Sequence, residues 1–301
     1  MNIFWLAWNL YDFEGAASML CDQHVVKMCT EAAQVAYTIL HLLFASLPCD
    51  DSEERKTLMF STAPWVEYKD RKTKEVRRVR GYSTTHQNHP IVRPWGVACP
   101  GNFCAIVGMC LAICKEYEKR FNKTHSVYKH AVWLDSIPVQ ELPYPEEMLV
   151  DAAATSMTLP PLCVYDEYKN LALDLSAIDD PTVEIPANPF ETATEDVLSD
   201  VTRQQRNAQY QDYKRRMEAL RIVYCYRVNY QQTKIRFKST VARYWYSEPP
   251  AFLKNLLPRE SYDKEYSDNI KKMQQQQKKN KRTSTSRFSS LEFPASKLVK
   301  T

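Results

Sequence analysis

The residues between Cys21 and His41 carry the densest set of reactive groups in the chain. Gln23, His24, Lys27, Thr30, Glu31, Gln34, Thr38 and His41 fall within about a third of a helix circumference at 100° per residue. One acid, one amine, imidazoles and amides therefore stand in register, a set able to move protons and hold a polar substrate. The rest of the circumference is apolar: Val25, Val26, Met28, Cys29, Ala32, Ala33, Val35, Ala36, Ile39, Leu40 and Leu43. A surface helix shows the reverse balance, with long solvating side chains on a broad wet face. This pattern describes a largely buried helix with one edge open to a cleft. A core helix whose few polar groups are bonded internally has the same pattern, and both readings stand at this point.

A second constellation follows at Thr85-His86-Gln87-Asn88-His89-Pro90. It reads as a loop facing the helix and supplying phosphate or base contacts, or as a turn whose side chains cap backbone groups. A metal reading is weaker, because His86-x-x-His89 lacks an obvious third and fourth ligand unless His24 and Glu31 converge on it. No metal and no cofactor is expected. Lys123-Thr124-His125 reads as a helix terminus, with His125 available to a phosphate pocket.

Between the two constellations, residues 65–95 concentrate Lys69, Arg71, Lys72, Lys74, Arg77, Arg78, Arg80 and Arg93 against Glu67, Asp70 and Glu75, with Trp65, Tyr68 and Tyr82 interleaved. Alternation around Glu75–Arg80 predicts a β-hairpin arm, and Gly81 permits the turn that follows. Cations bind phosphates and aromatic faces stack on bases, so this composition suits nucleic acid. A solvated hairpin would carry the same residues.

These groups need a scaffold. The apolar start, Met1 to Trp8, reads as a buried arm, and Asp12 to Met19 as a short helix. The long helix runs from about Asp22 to Leu47, stopped by Pro48, with a short helix at 52–60. Pro100, well placed at a first helical position, opens a central helix to Phe121, and 142–155 holds another short one. Residues 161–200 form an acidic, Pro-rich connector. A Tyr- and Arg-rich helical segment, 201–258, packs on the 1–160 core in two helices meeting near Met217. Residues 259–301 are a basic, low-complexity tail expected to be disordered. The fold expected is mainly α: a compact helical domain with a small basic hairpin or loop insertion.

Composition narrows the classes further. Only 5 glycines occur in 301 residues, too few for Gly-rich phosphate loops or a many-turned β architecture. The 9 cysteines are scattered without a Cys-x-x-Cys pair and read as reduced core residues of an intracellular, non-secreted protein. No uninterrupted apolar run of membrane-spanning length is present, so no membrane partner is expected. The net charge is +4, but 267–301 holds nine Lys or Arg against two acids. The tail is thus +7 and the remainder −3, so attraction to a polyanion must come from local patches.

The chain resembles an uncharacterised family from phages and large DNA viruses. Members begin Met-Asn-Ile-Phe, carry Asp-x-His-Val-Val-Lys-Met-x-x-Glu-x-x-Gln on the first long helix, here Asp22 to Gln34, and follow with Thr-His-x-Asn-His-Pro, here Thr85 to Pro90. Glu116-Tyr117 with Arg120, Lys123-Thr124-His125 and the stretch near Trp245 and Pro249-Pro250 also match, so the resemblance covers most of Met1 to Leu253. On the first long helix alone, Asp22-Gln23-His24 followed by Glu31 is similar to the pyrimidine-dimer DNA glycosylases of the endonuclease V type.

The glycosylase resemblance implies an amine that attacks the sugar C1′ and a carboxylate that stabilises the cationic intermediate and assists proton removal from C2′. Glu31 takes the carboxylate role, and His24 binds phosphate or positions Glu31. In those enzymes the amine is an α-amine exposed by removal of the initiator Met before a small residue. Residue 2 here is Asn2, so the amine is that of Met1 itself, or Lys27 after its pKa is lowered by burial, or there is no lyase chemistry. Gln23, Gln34, Arg77, Arg78, Arg80, Thr85, His86, Asn88, His89, Arg93, Lys123 and His125 are the expected substrate or DNA contacts. Two other functions fit the same residues: a non-catalytic nucleic-acid-binding or virion-associated protein, and an enzyme of free or modified nucleotides. Oligomeric state is left open.

Overall fold

The computed structural model describes residues 3–47, 49–69, 73–150, 156–191, 200–237, 240–241, 247 and 249–256. The expectations for Met1, the 259–301 tail and Trp245 lie outside them. Two compact units divide the chain, Met1–Phe252 and Leu253–Thr301. The architecture is mainly α.

Asp12 caps α1 (Phe13–Ser18), its carboxylate accepting the Gly15 N–H at 2.8 Å, the bond that short acidic side chains make at helix starts. Helix α2 spans Asp22–Ala45, and α3 follows at Cys49–Ser61. Strands β1 (Trp65–Lys69) and β2 (Val76–Arg80) pair antiparallel with Trp65 opposite Arg80 and Tyr68 opposite Arg77. Helix α4 occupies Pro100–Phe121 with Pro at its start and Asn122 left-handed at its end. It lies against α2, and the apolar arcs of the two form the core: Val25, Cys29, Ala33, Ala36 and Leu40 against Phe103, Ile106, Cys110 and Ile113, all buried. Although α2 is long and apolar enough to cross a membrane, most of it is covered by this packing.

Helix α5 (Tyr128–Asp135) packs on α2 and α4 and was not expected. The short helix expected within 142–155 is α6, Glu146–Val150. Among its described residues, the connector is irregular apart from α7 (Asp166–Lys169) and one 3-10 turn at Leu175–Ala177. The two helices expected on either side of Met217 are one, α8 (Asp200–Asn229), continued by a wide turn through Lys234. A minor ladder pairs β3 (Arg236–Phe237) with β4 (Thr240–Val241). Ile3 to Trp8 forms the expected arm, buried throughout, with no strand partner among the described residues.

Candidate functional site

The first turn of α2 is held by buried charge. Arg120 donates through Nε to Glu116 at 2.6 Å, through Nη1 to the Leu20 carbonyl at 2.6 Å and to Asp22 at 3.0 Å, and through Nη2 to the Ser18 carbonyl at 2.7 Å. All three charged side chains are buried. Removing one partner from such a group leaves an uncompensated charge and costs about 3–5 kcal/mol. Asp22 and Arg120 therefore lock the end of α1 and the start of α2 to α4. Sequence reasoning identified these residues as landmarks but assigned them no role.

His24 follows directly and is 6% exposed. The Cys21 N–H donates to the Tyr230 hydroxyl at 2.8 Å, and that hydroxyl lies 2.8 Å from His24 Nδ1. Phe4 packs on the His24 ring with centroids 5.1 Å apart. Burial drives the His24 pKa down to about 3, helped by Lys27 and Lys234. The ring is therefore neutral at neutral pH and brings no charge to either expected role, phosphate contact or positioning of Glu31. Tyr230 was not among the expected site residues, because it lies 206 positions away.

One turn further on, Lys27 Nζ lies 2.9 Å from Glu31 Oε1, with side chains 65% and 15% exposed respectively. The desolvation that would activate Lys27 as a nucleophile is missing. Of the three expected amine assignments, the one through Lys27 lacks the burial it calls for: Lys27 is a surface cation paired with Glu31. Gln23, Thr30 and Gln34 complete the edge, each half-buried.

The 82–90 loop docks on the same edge of α2. The Thr85 N–H donates to Thr38 Oγ1 at 3.1 Å, and the Thr38 hydroxyl lies 2.7 Å from the Gln34 carbonyl and 3.2 Å from that of Thr85. His41 Nε2 donates to the Tyr82 carbonyl at 3.0 Å while its ring stacks on Phe60. Thr85 is thus an anchor of the loop, with its backbone occupied. His86 is exposed and left-handed at φ 50°, its Nδ1 2.7 Å from the Thr85 hydroxyl. His89 is half-buried and its Nδ1 accepts the Ile91 N–H at 3.3 Å. Burial lowers the His89 pKa, His86 pushes the same way, and Glu31 pulls it back up. Asn88 and Arg93 are exposed. Among the described residues no three His, Cys, Asp or Glu side chains group as metal ligands would.

His125 does not reach a phosphate pocket. Its Nδ1 accepts the Val127 N–H at 3.2 Å at the start of α5, and its ring bonds the Val26 carbonyl of α2. Lys123 is exposed beside it.

The hairpin continues from the loop through Gly81, whose φ of +68° a side chain would strain. A Cβ there would also sit 2.4 Å from the Tyr37 ring. Arg80 lies 4.0 Å over the Trp65 ring and donates to the Ala63 carbonyl at 2.8 Å, so it is built into the hairpin root. Arg78 pairs with Glu67 at 2.6 Å. Arg77 is exposed. Beneath the root lies an aromatic cluster that sequence reasoning missed. Tyr37 stacks on Trp133 with centroids 5.3 Å apart and bonds His130 Nδ1 at 3.0 Å, while Lys129 donates to the Trp65 carbonyl at 3.1 Å.

A cleft of about 960 Å³ lies elsewhere, between the arm exit at Trp8 to Asp12, the connector at Asp179 to Glu184, and α8. None of the expected site residues lines it.

Compared with family models, curated proteins and solved structures, the chain matches none.

Proposed function

We propose that this is a DNA-processing protein that acts on damaged or modified pyrimidines, with Glu31 as its reacting carboxylate. The observation that carries the reading is the docking of the 82–90 loop on α2 through Thr38 and His41, which joins the Glu31 edge, His86 and His89, and the basic hairpin into one continuous surface. An amine adds to C1′, the glycosidic bond breaks with its electron pair leaving on the base, and a Schiff base forms. Glu31 stabilises the cationic sugar and assists loss of the C2′ proton, after which the 3′ phosphate departs. The exposure of Lys27 favours the Met1 α-amine as the nucleophile.

Borohydride trapping on ultraviolet-irradiated and abasic duplexes tests this. A covalent adduct is expected with wild-type protein, and Glu31→Gln should reduce its yield at least tenfold while leaving duplex affinity within about twofold. No adduct on either substrate ends the lyase reading.

The Lys27–Glu31 ion pair favours a second reading, in which Glu31 only orders the surface and the protein binds nucleic acid without chemistry. In that case Glu31→Gln changes nothing, whereas replacing Arg77 and Arg78 by Gln still weakens binding and lowers the salt slope by about 0.9 for each phosphate that is no longer neutralised.

A further inference from the structure

The hairpin root, α3 and the C-terminal half of α2 enclose a shallow pocket of about 410 Å³. It falls within the size range of small-ligand sites but is open along one side. Lys56 and Arg80 supply two cations to its walls, Ser83 and Thr84 two hydroxyls, Gln87 an amide, and His41 an imidazole edge. None of Lys56, Ser83, Thr84 and Gln87 belongs to the machinery assigned above. Ser83, Thr84 and Gln87 are exposed, and among the described residues their side-chain polar atoms make no hydrogen bond. Lys56 is held only by an exposed pair with Glu53 at 3.2 Å, the kind of interaction worth a few tenths of a kcal/mol that an incoming anion displaces readily. Arg80, in contrast, is fixed in place by the Trp65 ring and the Ala63 carbonyl, so one cation is rigid and the other free to swing.

We infer that this pocket is a phosphodiester cradle that holds the DNA backbone between the hairpin and α2. Two cations flanking a row of uncommitted hydroxyl and amide groups match a phosphate, which takes charge from Lys and Arg and hydrogen bonds from Ser, Thr and Gln. The open side admits a strand that enters and leaves. Position along α2 gives the cradle a register. His41 is ten residues beyond Glu31, about 15 Å at the helical rise, so the phosphate held here lies about four nucleotides of duplex from the nucleotide whose sugar faces Glu31. The inference rests on the DNA-binding part of the proposed function and not on its chemistry.

The test is duplex affinity of the full chain as a function of salt. Lys56→Ala is expected to weaken binding and reduce the slope of log K against log salt by about 0.9, the signature of one phosphate left without its cation. Lys56→Arg should restore the slope. Gln87→Ala should weaken binding with the slope unchanged, because no charge is removed. Glu53→Gln should tighten binding by releasing Lys56. All four variants change surface positions, and matched melting temperatures verify folding. If Arg77→Gln weakens binding while Lys56→Ala leaves affinity and slope untouched, the cradle is wrong and the DNA-binding reading survives. If wild-type protein does not bind duplex at low salt, that reading fails and the cradle with it. If a deoxynucleoside monophosphate competes as well as the duplex at equal phosphate concentration, the pocket takes free phosphate esters and the backbone assignment is overturned.

Discussion

His24 departs furthest from the ordinary behaviour of its type. In the unfolded chain it takes up a proton near pH 6.5, but in the fold only near pH 3, because burial excludes the charged form and Lys27 and Lys234 push the same way. Between those values the unfolded state binds more protons, so its contribution to stability is complete above pH 6.5 and is lost as pH falls toward 3. At about 1.4 kcal/mol per pH unit, His24 alone should cost about 2 kcal/mol between pH 7 and pH 5. His130, lowered to about 4 by burial, acts in the same direction. Urea unfolding at the two pH values measures the sum, and His24→Gln should remove its own share. Equal midpoints at pH 7 and pH 5 would contradict the neutral, buried assignment.

At the level of elements, the positions of α2 and the hairpin depend on one glycine. Gly81 is left-handed against the Tyr37 ring. Gly81→Ala should therefore cost about 1–2 kcal/mol for the backbone alone, with the ring clash adding to it. The loss should register as a lower melting temperature and faster amide exchange at Pro64–Tyr82, and unchanged exchange there would show that the root does not depend on the turn. Much of this level was legible in the sequence. The apolar arc of α2, Pro100 at the start of α4 and the alternation through Arg80 each follow from a local rule. Helix α5 was not legible, since Val127 offers no side-chain cap and its apolar residues cover only two turns. Nor was the unity of α8, although Met217-Glu218 contains no breaker. The site divides along the same line. The stripe from Gln23 to His41 is periodic and could be read directly. The partners that decide what each member does come from far along the chain: Arg120 for Asp22, Tyr230 for His24, Thr85 for Thr38. Periodicity holds no information about pairings at that separation.

At the scale of the Met1–Phe252 unit, the buried arm and α8 close the core together. Arg227 donates to the Leu6 carbonyl at 2.7 Å and to Asp179 at 2.6 Å, and its guanidinium lies 4.2 Å over the Trp8 ring. The same helix leads directly to Tyr230, so the arm, the connector and the His24 end of α2 share one clamp. Charge is arranged differently. The remainder of the chain is −3 and the 267–301 segment +7, so the surface carrying Glu31 belongs to a body with no net attraction for DNA. On the proposed DNA-binding function, local cations set where the duplex sits, and the C-terminal charges how often it arrives. Replacing Lys271, Lys272, Lys278 and Lys279 by Gln in the full chain should lower affinity for every duplex alike and flatten its salt dependence. The ratio of affinities for abasic and intact DNA should stay the same, as should the fraction of bound abasic duplex trapped by borohydride. A fall in that ratio would show that the basic segment takes part in choosing the substrate, and would move part of the recognition away from α2 and the hairpin.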